Sequence, residues 1–379
     1  SAIYGANAAG KSNLIKSLKS LISIVKTGNI PTGFTKERFK LSNDDIVSNQ
    51  ILSIEFFKSR IPFYYAIEIG DNVIITEELY KSGLGKADDI LIFERKTTSE
   101  STKLNFNIEF ENEQENIALK NVLEKTLSKP DKSIFKLLSE LENQSFIDIR
   151  TAYDWFKDNI EVITPYSKPS ALAQKIDSSN SFKEFTNNIL CSFDLGIQEI
   201  NTEKKLLKEI VGEDDAIKLE SILGDMKKNP SLQMTLRSKS GEEIIAVYED
   251  GQVFAKRLIV NHVDNNNSIV KFYLNEESDG TNRLLDYIPL FQEVITKEKV
   301  YVIDEIERSI HPLLIKELIS KFSHEEQTKG QLIFTTHESN LLDQDILRQD
   351  EIWFIEKDKL GNSDMYPLSE FKEHHTIDI

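Results

Sequence analysis

The chain has 379 residues, a formal net charge of −17, 39% hydrophobic residues, one cysteine and six histidines. That length and apolar content suffice for a sizeable core of two or three structural units, and the acidic balance argues against the whole surface being a nucleic-acid footprint. The lone Cys191 excludes an intrachain disulfide framework and reads as a small buried hydrophobe; with no signal-like start and no apolar run of roughly eighteen residues, a cytoplasmic protein with no membrane span is expected.

In chain order, Ser1 to Tyr4 are an apolar lead-in, expected to be a strand cut short, before Gly5-Ala6-Asn7-Ala8-Ala9-Gly10-Lys11-Ser12. Residues 11 to 27 carry Leu14, Ile15, Leu18, Leu21, Ile22 and Val25 at helical spacing. Lys11, Lys16, Lys19, Lys26, Lys36, Arg38 and Lys40 make this start basic; beyond a ligand role for some, they read as a solvated helix face. Alternating strands are expected at Ile51 to Phe57, Phe63 to Ile69, Val73 to Tyr80 and Ile90 to Phe93, separated by turns such as Gly70-Asp71-Asn72, and so an antiparallel sheet. The stretch from 114 to 227 is dense in Lys, Glu and Leu and broken at Pro130, Pro165 and Pro169; it reads as a helix-rich inserted lid or arm without the heptads of a long coiled coil. Strands return over 231 to 274 with hairpin turns at Ser240-Gly241 and Asp250-Gly251. A helix from near Thr281, a buried strand Val300 to Ile303, a helix opening at Pro312, a strand Gln331 to Thr335 and a last strand Glu351 to Glu356 complete the pattern.

Two segments carry chemistry. Gly5 to Ser12 has the G-x-x-x-x-G-K-[ST] spacing of a phosphate-binding loop, in which the glycines let backbone N–H groups of Ala6, Asn7, Ala8 and Ala9 turn inward and the following helix adds its positive end. Lys11 would reach β- and γ-phosphates, and Ser12 would take a Mg²⁺ position, followed by Asn13. Val300-Tyr301-Val302-Ile303-Asp304-Glu305 reads as a central parallel strand ending in two carboxylates: Asp304 for Mg²⁺, Glu305 to orient or deprotonate an attacking water. The bland alternative is a core strand ending in solvated acids.

Three further segments matter in combination. Glu277-Ser278-Asp279-Gly280-Thr281-Asn282-Arg283 resembles the signature motif of ABC-type ATPases, Arg308-Ser309-Ile310-His311-Pro312 their D-loop, and His337 their switch histidine. Taken singly, Ser278 to Thr281 serve equally well as a helix cap, His337 could satisfy local backbone, and His311 could be a surface residue before proline. Together with Tyr4 to Asn13, Glu351-Ile352-Trp353-Phe354 and Ser369-Glu370-Phe371, they make the chain resemble the ABC-type, AAA-class ATP-binding family of bacterial abortive-infection and phage-defence operons, related to OLD-family and SMC-type heads. The resemblance is motif-deep over 1 to 95 and 270 to 375. Asp279 stands where transporters carry Gly, and no Q-loop glutamine is convincing, Gln50 being the nearest.

The fold that resemblance implies is α/β: a P-loop NTPase head of ABC type over 1–110 and 231–379, with an antiparallel β subdomain and a helical lid at 111–230. The implied function is an ATPase, Mg²⁺-dependent, that dimerises on ATP. Lys11, Ser12, Asp304, Glu305 and His337 of one chain and Ser278, Gly280 and Thr281 of the other would form each nucleotide site, with room for a higher oligomer and a separate toxin or nuclease as effector. Two alternatives differ in class. An OLD-type nuclease needs a further domain of on the order of a hundred residues, and about twenty follow Glu356. A DNA-organising head would bind DNA in a way the net charge does not favour.

Overall fold

The computed structural model describes residues 1–36, 49–107, 113–167, 172–211, 222, 224–229, 233–237 and 243–371; Arg38, Lys40, Pro169 and the Ser240-Gly241 turn lie outside them. Strand β1 (Ala2–Tyr4) leads through the glycine loop into α1 (Lys11–Thr27), and β2 (Gln50–Lys58), β3 (Ile61–Gly70), β4 (Val73–Lys81), β5 (Ile90–Thr97) and β6 (Thr102–Phe106) follow. Next come α2 (Glu113–Val122), α3 (Ile134–Ser139), α4 (Ile147–Asp154), β7 (Ile160–Ile163), α5 (Leu172–Ser178), α6 (Asn180–Ser192), β8 (Ile197–Leu206) and α7 (Leu207–Val211). The remainder is β9 (Met234–Arg237), β10 (Glu243–Glu249), β11 (Gln252–Val263), β12 (Ile269–Tyr273), α8 (Asp279–Thr296), β13 (Val300–Ile303), α9 (Pro312–Ser323), β14 (Gln331–Thr336), β15 (Ile352–Lys357) and β16 (Ser363–Pro367).

These strands form three sheets. The first runs β16-β15-β1-β14-β13-β7, parallel throughout except for β16, which pairs antiparallel with β15 at the edge. The second is the antiparallel meander β2-β3-β4-β5-β6. In the third, the long β11 pairs with β8 on one side and with β10 and β12 on the other, β9 lying outside β10. The fold is therefore mixed α/β with parallel and antiparallel sheets, as expected. The helix-rich segment 111–230 also supplies two strands that no clear alternation marks. Four-residue β7 completes the parallel sheet beside β13, and β8, whose Lys and Glu residues give it a helical texture, lines β11.

Two cores flank the parallel sheet, and β13 shows why its sequence is continuously apolar. Tyr301 and Ile303 face the core built on α8 and α9, with Leu284, Ile288 and Ile315, whereas Val302 faces the opposite core. A strand covered on both faces has no polar side to display. The second core joins α1 to the meander through an aromatic cluster in which Phe56 stacks on Trp155 at 4.3 Å and Phe135 meets Tyr65 at 4.9 Å. Inside it, the fully buried Glu77 of β4 accepts bonds from Ser133 Oγ (2.6 Å), Ile134 N (2.9 Å), Phe135 N (3.2 Å) and Tyr65 OH (3.0 Å). It thereby satisfies the orphan N–H groups at the start of α3. Arg95 of β5, also fully buried, spans Lys129 O and Lys132 O, fastening the same turn to the meander. Cys191 is exposed rather than buried: it sits near the end of α6, with Sγ 3.4 Å from Gln198 O.

Candidate functional site

Strands β1, β14, β13 and β7 are neighbours and parallel, so their C-terminal ends open on one edge of the sheet, where α/β folds place ligands. Gly5 to Ser12 follows β1, His337 follows β14, and Asp304 and Glu305 follow β13. Residues far apart in the chain are thus delivered side by side by strand order.

The glycine loop is shaped by close backbone approach. A Cβ on Gly5 would lie 2.6 Å from both the carbonyl O and Cγ2 of Ile355 on β15. Gly10 has φ +120° and would strike Ser363 Oγ at 2.5 Å, a hydroxyl that donates to Ala9 O at 2.7 Å. Ala8 adopts φ 66° without being glycine, a conformation that costs on the order of 1 kcal/mol and persists where the surroundings demand it. Ala6, Asn7 and Ala8 are exposed, Ala9 is buried, and Ser12 and Asn13 are exposed in the first turn of α1. Lys11 is buried, and its Nζ donates to Gly5 O (2.5 Å) and Ala6 O (3.1 Å), so the ammonium caps the loop's own carbonyls.

Across the edge, Thr335 at the end of β14 ties the Asp304 carboxylate and the Glu305 backbone to its strand. Its Oγ1 donates to Asp304 Oδ1 at 2.7 Å and accepts from Glu305 N at 2.8 Å. Asp304 N also donates to Ile163 O at 2.9 Å, continuing the β13–β7 ladder. Asp304 is buried, while Glu305 sits at φ 51° with its side chain 41% exposed, 3.9 Å from Arg308. The left-handed turn at Glu305 therefore lets consecutive acids part, one held against the sheet and one turned to the open side.

Past these acids, Glu307 is buried; its Oε1 accepts from the backbone N of His337 at 3.0 Å and lies 2.6 Å from the Nδ1 of the same residue as an ion-pair contact. Glu307 and Thr335 were not singled out from the sequence. Their roles depend on which strand ends meet, and the only local hint is a further acid two residues past Glu305.

Ser278 is the N-cap of α8: its Oγ accepts from Thr281 N at 3.1 Å and lies 2.9 Å from Thr281 Oγ1. Gly280 packs against the Ser309 carbonyl, which a Cβ would meet at 2.9 Å, so the signature-like turn and the D-loop-like turn touch within one chain. Ser309 is itself left-handed at φ 64°, and His311 caps α9, with Nδ1 accepting from Leu313 N. Two side chains of α8 reach the other catalytic-edge loops. Tyr287 OH, which burial pushes up to about 12 in pKa and so keeps as a donor, bonds Ile306 O at 3.1 Å. Arg283, buried, donates to Ser167 O (2.8 Å) and Thr164 O (3.2 Å) in the turn after β7.

That turn, Thr164-Pro165-Tyr166-Ser167, follows Ile163, whose O accepts from Asp304 N, and it holds no glutamine. Tyr166 is 81% exposed with the Arg308 guanidinium 4.5 Å above its ring. Gln50 lies instead at the start of β2, in the antiparallel meander.

The donor set fits a nucleotide with Mg²⁺. Glycines packed against β15 and β16 leave the loop's outer side to a phosphate chain, and Ser12 and Asp304 offer the hard oxygens Mg²⁺ takes. Among the described residues no group of three or more His, Cys, Asp or Glu could hold a metal by itself. Also among them, no helix is long and apolar enough to cross a membrane.

No curated protein matches the chain. Among solved structures, it resembles the SMC head domain from Thermotoga maritima with 12% identity and a TM-score of 0.40, over 97% of this chain and 89% of that one. It also resembles an Smc head domain with an extended coiled coil bound to the C-terminal domain of ScpA, from Pyrococcus furiosus, with 11% identity and a TM-score of 0.34, over 97% and 90%. Residues 1–343 match the family described as "AAA domain, putative AbiEii toxin, Type IV TA system", with the phosphate loop, the Asp304–Glu305 strand and His337 all inside the match. The chain belongs to this AAA family.

Proposed function

We propose that the chain binds and hydrolyses ATP as an ABC-type, nucleotide-driven dimerisation switch, working in the cytoplasm as the regulatory ATPase of a bacterial anti-phage defence system that controls a separate effector. The observation that supports it best is the convergence of the Gly5–Ser12 loop, Asp304–Glu305 and His337 on neighbouring strand ends. When bound, Mg²⁺ supplies charge neutralisation on the phosphates. Lys11 would exchange the Gly5 and Ala6 carbonyls for phosphate oxygens, and Ser12 and Asp304 are the side chains that would hold the metal. Glu305, on the open side, takes the proton of the attacking water, and His337 contacts the γ-phosphate or that water. Ser278, Gly280 and Thr281 at the start of α8 face the nucleotide of a second copy, because helix N-termini favour phosphate. Phosphoryl transfer is dominated by positioning and charge stabilisation, so such residues suffice.

The test is molar mass in solution for wild type and Glu305→Gln, with and without ATP and Mg²⁺, with phosphate release read from the same samples. A stable doubled mass for Glu305→Gln in ATP, with release abolished, is the expected result. Surviving hydrolysis, or a mass that ignores ATP in both proteins, overturns the switch.

A further inference from the structure

We infer that Glu307 is the positioning residue of His337, holding its imidazole as the Nδ1–H tautomer so that Nε2 is the nitrogen offered to the nucleotide; this rests on the role proposed for His337. The carboxylate and the histidine come from different strand ends, yet they meet at two points. Oε1 of Glu307 accepts from the His337 backbone N–H at 3.0 Å and lies 2.6 Å from Nδ1 as an ion-pair contact. With a carboxylate oxygen this close, Nδ1 is the nitrogen that carries a proton toward Glu307, and Nε2 is the nitrogen left free of it. Gripping both the main chain and the ring fixes where the residue sits and how the ring turns. The ring is 49% exposed while the Glu307 side chain is 4% exposed, so the anchor is inside and the working end outside.

A second observation separates this from packing. Among the described residues, Oε2 of Glu307 is buried without a hydrogen-bond partner. An unpaired buried carboxylate oxygen is costly, and an apolar side chain of similar volume would fill the space without that cost. The arrangement is thus poorly suited to stability alone. It does suit a carboxylate that orients an imidazole and supports positive charge on it when phosphate oxygens approach. Thr335 makes the reverse connection, reaching from the histidine's strand to Asp304 and Glu305. The two strand ends are therefore cross-braced, each holding the other's reactive group.

Three variants test this. Glu307→Leu removes both acceptors at similar volume, Glu307→Gln keeps a carbonyl acceptor, and His337→Gln identifies the His337 signal among the six histidines in ¹⁵N-histidine spectra. Spectra are recorded near pH 8.5, above the ordinary histidine pKa of about 6.5. Wild type is expected to show Nδ1–H at His337. Glu307→Leu should bind a fluorescent ATP analogue within about threefold of wild type, lose about 10- to 100-fold in single-turnover phosphate release, and shift His337 toward Nε2–H. Glu307→Gln should restore the tautomer and most of the rate. An Nε2–H signal in wild type overturns the inference whether or not any variant folds. So does a wild-type rate in Glu307→Leu beside an inactive His337→Gln, which leaves the switch reading standing. Undiminished hydrolysis in His337→Gln removes that reading and this inference with it.

Discussion

Replacing Arg283 by Met should cost the fold about 3 kcal/mol, and the sum comes from the contacts of one buried guanidinium. Its two terminal nitrogens donate to Ser167 O at 2.8 Å and Thr164 O at 3.2 Å; a hydrogen bond from a charged donor contributes about 1.5–3 kcal/mol net. The guanidinium also lies 4.6 Å from the Tyr287 ring centroid, worth about 1 kcal/mol. Against this stands Nε, buried without a partner among the described residues, whose relief returns about 1–3 kcal/mol. Met keeps the length of the stem, so little packing is lost. Arg283→Lys should lose roughly half as much, because a single ammonium cannot bridge two carbonyls as a planar fork does. Urea unfolding gives the comparison through midpoint shifts at constant slope. If Arg283→Met unfolds within about 0.5 kcal/mol of wild type, a range typical of surface substitutions, the turn after β7 is not fastened to α8 in this way. A Lys variant as unstable as the Met variant would leave the burial of charge, not the bridging, as the important term.

Gly5→Ala should weaken binding of a fluorescent ATP analogue at least about tenfold and cost the fold about 1–3 kcal/mol through overpacking, because the new Cβ would stand 2.6 Å from the backbone O of Ile355; affinity within twofold of wild type would refute the close-approach argument. Glu293 gives a pH signature. Burial alone would raise its carboxyl, but Lys175 (2.8 Å), the Tyr301 hydroxyl (2.7 Å) and Lys297 (3.3 Å) outweigh it and hold the pKa at about 2. A depressed carboxyl stabilises the folded state fully above its ordinary value of 4.5 and loses that contribution as pH falls toward about 2. The stability gap between wild type and Glu293→Gln, on the order of 1–2 kcal/mol after discounting for solvent screening, should therefore be flat above about pH 5 and close across that window. A gap that does not change there would rule the linkage out.

What could be read from the chain alone was whatever has a local cause. The helix after the glycine loop, the β2–β5 meander and the doubly covered β13 follow from spacing and apolar runs, and each appears within a few residues of its expected bounds. Strand β7 could not be seen because four residues between helical turns have no alternation to detect; only its pairing with β13 makes it a strand. Strand β8 hides behind Lys and Glu residues that cover the open side of the third sheet, with Ile197 and Ile200 buried. Edge strand β16 needed the hairpin at Asp358 to Asn362, where the Asp358 carboxylate gathers Leu360 N and Asn362 N. The same division holds at the site. Lys11, Asp304 and Glu305 belong to motifs, whereas Thr335, Glu307 and Arg283 act through strand order and helix packing that no short window contains.

Those longer-range contacts bear on how a nucleotide event could travel. Helix α8 begins at the Ser278 cap, where Gly280 abuts the Ser309 carbonyl. One turn on, Arg283 holds the loop after β7, and the next turn brings Tyr287 to Ile306 O just past the two acids. The opening turns of one helix thus touch two loops of this edge, the one after β7 and, at both Ile306 and Ser309, the one after β13, and packed interfaces of this kind switch between discrete arrangements instead of deforming smoothly. A ligand drawn to the Ser278 end cannot displace α8 without breaking these bonds or carrying the loops along. Because Glu305 and Ser309 already occupy left-handed backbone conformations, the segment between them is where a changed position of α8 would be accommodated. In the proposed composite site, engagement of Ser278 by a second copy's nucleotide would therefore be tied to the placement of Glu305 in the chain that carries both.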